Sequence, residues 1–120
     1  MIKLEYIWID GTENVSQLRS KTKVMNAYEW DGSVANCPVW GFDGSSTNQA
    51  PGENSECVLR PERIYENPLE DNSWLVLCGV WNTDDTPHKT NVRWKLDELL
   101  SNVKKEEPWF GFEQEYTLFK

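Results

Sequence analysis

The sequence predicts an α+β chain in which strands come first and a single helix comes late. Three observations lead there. Short β-rich runs, bounded by Gly, Pro, Asn and Asp, recur through the first ~85 residues with little helical patterning between them. One apolar stripe at helical spacing begins near Asn91. An aromatic, alternating run from Trp109 to Phe119 follows Pro108 and reads as a further strand.

Taken in order, Lys3 to Asp10 (Lys-Leu-Glu-Tyr-Ile-Trp-Ile-Asp) reads as the first strand, ended by Gly11. Leu18 to Met25 reads as the second. In it Leu18, Ser20, Thr22 and Val24 alternate with Arg19, Lys21 and Lys23, and the charges are expected on a solvated outer face. Tyr28 to Val39 reads as a loop. Trp40 to Thr47 (Trp-Gly-Phe-Asp-Gly-Ser-Ser-Thr) carries a tight-turn signature, with Gly44 suited to positive φ and two hydroxyls for local backbone bonds. Gln49 to Glu56 is a polar loop, in which Glu53 and Glu56 are given no catalytic role. Cys57 to Pro61 begins a strand that Pro61 interrupts or places at an edge. Glu66 to Ser73 is a turn. Trp74 to Trp81 is the most apolar run and is expected as a central buried strand.

Asn82 to Lys89 is a polar connector. His88 is the only histidine, with no second His or Cys at ligand spacing, so a surface or packing role is expected. Thr90 or Asn91 can cap the helix that follows. Its face is Val92, Leu96, Leu99, Leu100 and Val103, and it is expected to end near Lys104 and Lys105.

On the terminal strand, alternation puts Trp109, Gly111, Glu113, Glu115 and Thr117 on one face. Phe110, Phe112, Gln114, Tyr116 and Leu118 fall on the other, which reads as core. Glu113 and Glu115 then stand about 7 Å apart along the backbone. Their repulsion is roughly 0.6 kcal/mol in water and roughly 2–2.5 kcal/mol at an effective dielectric near 20. Spacing alone leaves two readings: a solvated sheet face, or a site for a hard cation such as Mg²⁺ or Mn²⁺.

Composition narrows the classes. At 120 residues the chain holds one modest domain, or one domain plus a piece of another. A net charge of −8 argues against nucleic acid and anionic membrane surfaces as partners. Three cysteines (Cys37, Cys57, Cys78) form no CxxC pair, and a reducing, cytoplasmic setting is expected. No apolar run is long enough to span a bilayer, and the first residues lead into a strand rather than a signal peptide.

The literal strings add to this. Trp-Phe-Gly-Phe-Glu-Gln-Glu-Tyr-Thr-Leu, from Trp109 to Leu118, closely resembles the metal-binding strand of glutamine synthetases of the eukaryotic type. Glu-Tyr-Ile-Trp-Ile-Asp-Gly and Leu-Arg-Ser-Lys-Thr-Lys are similar to the opening of these enzymes. Phe-Asp-Gly-Ser-Ser-Thr is similar to their loop that reaches into a neighbouring subunit's active site. The helix that some members carry before the first strand is lacking here.

The resemblance implies a β-grasp domain over residues 1–86. It further implies the first helix and strand of the catalytic domain over residues 87–120. It implies Glu113 and Glu115 as ligands of Mg²⁺ or Mn²⁺, Trp109 and Glu113 near the nucleotide, and Asp43 at the ammonium site of the adjacent subunit. For Trp109 plain aromatic packing is an equal alternative. The implied reaction joins glutamate to ammonium at the cost of ATP, through γ-glutamyl phosphate, in a homo-oligomer of two stacked rings. A non-catalytic β-grasp module that pairs with other subunits is the alternative, and a structural metal-binding fragment a third. Because the chain stops at Lys120, directly after the Glu-Gln-Glu strand, a truncated or split sequence is expected, inactive by itself.

Overall fold

A computed structural model describes all residues, Met1–Lys120. Five strands form one mixed sheet: β1 (Ile2–Ile9), β2 (Leu18–Met25), β3 (Trp40–Asp43), β4 (Glu56–Glu66) and β5 (Ser73–Trp81). Their order is β2-β1-β5-β4-β3. β1 runs parallel to β5, and the other neighbours are antiparallel. A single α-helix, α1 (Val92–Val103), follows the sheet.

β1 alternates between a buried and a more open face, and Ile2, Leu4, Tyr6 and Trp8 supply the buried side. The core adds Cys57 and Leu59 from β4, Val76, Cys78 and Val80 from β5, and Trp30 and Cys37 from the loop after β2. Each fully buried aliphatic side chain contributes about 1.5–3 kcal/mol relative to exposure. As the pattern of Trp74 to Trp81 predicts, β5 is central, flanked by β1 and β4. Pro61 lies just past the stretch of β4 that β3 covers, and the register with β5 shifts between Pro61 and Arg63. There the missing N–H costs the sheet least.

The sheet curls until its two edge strands approach each other. Trp40 on β3 meets the Tyr6 ring edge-on at 5.4 Å, and Phe42 meets Trp8 at 4.8 Å. This corrects the expected orientation of β2. Arg19, Lys21 and Lys23 stand opposite Trp8, Tyr6 and Leu4, so they share the inner face, while Leu18 and Val24 are exposed. Each cation finds a partner there. Lys21 Nζ sits 3.6 Å from the centre of the Trp40 ring and donates to the Gly41 carbonyl at 2.7 Å. Lys23 Nζ lies 4.7 Å from the same ring. The aliphatic stems cover the core margin while the heads meet a π face or an oxygen.

α1 starts where its cap predicts. Asn91 Oδ1 accepts the Trp94 amide at 3.1 Å, and Asn91 Nδ2 anchors to the Val80 carbonyl at 3.1 Å. Val92, Leu96, Leu99 and Val103 are exposed. A short 3₁₀ turn over Lys104–Glu106 ends the helix.

The terminal strand is the largest departure. Residues 107–120 carry no regular structure and every one is exposed. Phe110, Phe112, Tyr116 and Leu118, expected as core, are open to solvent. A strand needs a neighbour to receive its N–H and C=O groups, and nothing in this chain pairs with the segment.

Candidate functional site

The most defined polar feature is the turn after β3. Asp43 caps a 3₁₀ turn over Gly44–Thr47, its Oδ1 accepting the Ser45 amide at 2.9 Å and the Ser45 hydroxyl at 2.6 Å. The Ser46 hydroxyl donates to the Asp43 carbonyl at 2.9 Å. Ser45 thus holds the carboxylate through both its amide and its hydroxyl, while Ser46 holds the Asp43 backbone. The Ser45 hydroxyl, then the Ser45 amide, hold the carboxylate's pKa below the ordinary range, with a smaller share from Ser55. Asp43 remains exposed. An anion that is fixed, ionised and open can attract and orient a small cation, and it is a poor base.

The turn is braced from three sides. Gly44 is buried, and a β-carbon there would stand 2.7 Å from Cys57 Sγ and 3.0 Å from Ala50 Cβ. Glycine is therefore required by close packing, not by the positive φ expected from the sequence; the left-handed residue of this turn is Asn48, at φ 57°. The Gly11 amide donates to the Thr47 carbonyl at 2.8 Å, joining the end of β1 to the turn. From within, buried Gln49 accepts Trp8 Nε1 at 3.2 Å and the Thr47 hydroxyl at 2.8 Å through Oε1. Its Nε2 donates to the Ile9 carbonyl at 3.2 Å and to the Thr90 hydroxyl at 2.9 Å.

Beside the turn a cleft of about 270 Å³ is lined by Trp8, Arg19, Ser20, Phe42, Asp43, Ser46 and Thr47. Arg19 is fixed there by an ion pair with Asp10 at 2.9 Å. Asp10 is fully buried. The Gln17 amide lowers its pKa most, against the opposing effect of burial; the Thr12 amide and hydroxyl and Arg19 lower it further.

Trp109, Glu113 and Glu115 are exposed in the terminal segment and do not line this cleft. No cluster of three or more His, Cys, Asp or Glu side chains is brought together anywhere. The two glutamates have the oxygen chemistry of a hard-cation site but supply too few ligands alone. His88 is buried rather than on the surface, and its role is packing and hydrogen bonding: one ring nitrogen meets the Gln49 carbonyl at 2.6 Å. The three cysteines are buried and free. Burial raises all three thiols, Cys78 to about 12. Sequence reasoning missed Gln49 and Thr90, since their partners lie about 40 residues away along the chain.

Residues 1–83 match the family described as "Glutamine synthetase, beta-Grasp domain". Among curated relatives, the chain is 50% identical over 119 residues to a glutamine synthetase of Streptomyces viridochromogenes, covering 98% of this chain and 34% of the relative. It is 48% identical to that of Tuber borchii, covering 98% of this chain and 32% of the relative. It is 45% identical over 121 residues to that of Rhizobium meliloti, with 98% and 34% covered. The chain thus spans about a third of the length of the relatives it matches.

Proposed function

Because this chain belongs to the glutamine synthetase family, we propose that it serves glutamate–ammonia ligation, supplying the β-grasp unit and the first part of the catalytic unit to an assembled ligase. The mixed sheet from β1 to β5 is the β-grasp domain. Residues 87–120 open the catalytic part.

In this reading Asp43 binds and orients ammonium in the site of the neighbouring copy of a double-ring homo-oligomer. Its exposure and its locked, acidic carboxylate support that role. Glu113 and Glu115 hold Mg²⁺ or Mn²⁺ together with ligands outside this chain, and Trp109 with Glu113 borders ATP. The divalent ion supplies positive charge that offsets phosphate charge during transfer. The chain's own residues contribute hard oxygen ligands at the terminal segment and a cation-binding carboxylate at the turn. ATP makes the glutamate γ-carboxyl reactive as γ-glutamyl phosphate, and ammonia displaces the phosphate.

The observation that carries the proposal is identity near one half to a named glutamine synthetase across 98% of this chain, which includes the Glu113–Glu115 segment. The test is glutamine formation from glutamate, ammonium and ATP by a full-length subunit carrying this segment. Glu113→Gln and Glu115→Gln are each expected to weaken Mn²⁺ binding and turnover at least about tenfold, the loss that removing even a residue behind a metal ligand causes. Unchanged Mn²⁺ affinity and turnover in both variants would overturn it.

A further inference from the structure

The geometry points to Thr90 as a positioning residue that ties the start of α1 to the Asp43 turn through Gln49 and His88. This deepens the proposed role of Asp43 and rests on it for its functional consequence. Thr90 immediately precedes the cap of α1 and accepts the Val92 amide at 3.0 Å. Its hydroxyl accepts Gln49 Nε2 at 2.9 Å and lies 2.8 Å from His88 Nδ1.

The directions of these bonds are mutually fixed. Gln49 Nε2 faces the Ile9 carbonyl as well as Thr90, so it must be the amide nitrogen. The Thr90 hydroxyl accepts from it and has its own proton left for His88 Nδ1. The Thr90 amide also points at Nδ1, at 3.2 Å. His88 therefore carries its proton on Nε2 and donates it to the Gln49 carbonyl at 2.6 Å. Gln49 is thus held twice from the α1 side, once through its side chain and once through its backbone.

On the other side Gln49 grips both ends of the turn. Its amide donates to the Gly44 carbonyl at 2.8 Å, next to Asp43, and its Oε1 takes the Thr47 hydroxyl at 2.8 Å. Gln49, His88 and Thr47 are all buried, so water does not replace a lost bond at low cost. A shift of Thr90 with α1 is transmitted to the turn that carries Asp43.

The experiment compares Thr90→Val, which keeps shape and removes the hydroxyl, with Thr90→Ser, which restores it. Amide hydrogen exchange is read in the 120-residue chain. In Thr90→Val, exchange at Ser45 and Gln49 is expected to speed up about fivefold, the worth of one hydrogen bond, while Leu4 and Tyr6 in β1 keep their protection. Thr90→Ser is expected to match the parent chain. No change at Ser45 and Gln49, or equal change in both variants, overturns the inference. If Thr90→Val loosens Leu4 and Tyr6 as well, His88→Leu against His88→Gln decides in the same way, since the glutamine can still donate to the Gln49 carbonyl.

In a full-length subunit, Thr90→Val is expected to raise the ammonium KM about fivefold, with the KM values for ATP and glutamate unchanged. If exchange responds but neither Thr90→Val nor Asp43→Asn moves the ammonium KM, the coupling stands and the assignment of Asp43 fails.

Discussion

Gly11 lies so close to Asn48 that a β-carbon on Gly11 would stand 2.1 Å from the Asn48 carbonyl oxygen. That approach lets the end of β1 bond the turn through the Gly11 amide and the Thr47 carbonyl. Gly11→Ala is therefore expected to destabilise the chain by about 1–3 kcal/mol, the usual cost of overpacking. Gly52, which has nothing within 4 Å of its would-be β-carbon, is the control: Gly52→Ala should fall within about 0.5 kcal/mol of the parent. Urea denaturation of both variants checks this.

Asp10 gives the fold a defined acid response. Its folded pKa is depressed, by the Gln17 amide first and then by the bonds from Thr12 and Arg19. A depressed carboxylate contributes stability that is fully present above its unfolded pKa of about 3.9 and is lost as pH falls from there toward the folded value. Asp10→Asn should be less stable at neutral pH and lose less stability than the parent below pH ~4. Asp31, Asp43 and Asp84, also depressed, keep some acid dependence in the variant. Thermal melts across pH 2–7 measure the difference.

Cys37, Cys57 and Cys78 are buried, and burial raises each thiol. Since the thiolate is the reactive form, an aromatic disulfide reagent at pH ~8 should label the native chain only slowly. In concentrated urea all three should react promptly. Rapid stoichiometric labelling of the native chain would contradict the packing described.

Lys21 ties the two sheet edges together through the Trp40 ring and the Gly41 carbonyl. Lys21→Met keeps the stem and removes the head. It is expected to cost about 1 kcal/mol, the scale of a partly exposed cation–π contact. Urea melts of the variant against the parent report the loss.

These relationships explain what the sequence made legible. β1, β5 and α1 follow from alternation, an apolar run and a cap, all of which are local signals. The inward turn of Arg19, Lys21 and Lys23 does not, because alternation tells which residues share a face and not which face meets the core. Trp40, Gly41 and Asp10 decide that, and only the fold brings them near. The Asp43 turn is legible as a turn, while the need for Gly44 comes from Cys57, whose proximity no local pattern announces. The run from Trp109 to Phe119 carries a strand's composition without a strand's partner, so its pattern alone does not produce a ladder.

In the proposed function the turn after β3 offers one fixed carboxylate to ammonium. The direct measurement is the ammonium dependence of glutamine formation by a full-length subunit carrying Asp43→Asn, which keeps the shape of the cap and removes its charge. An ammonium KM raised at least about tenfold is expected, the loss of a charge-assisted bond, with the KM values for ATP and glutamate unchanged. An ammonium KM equal to that of the parent would contradict it.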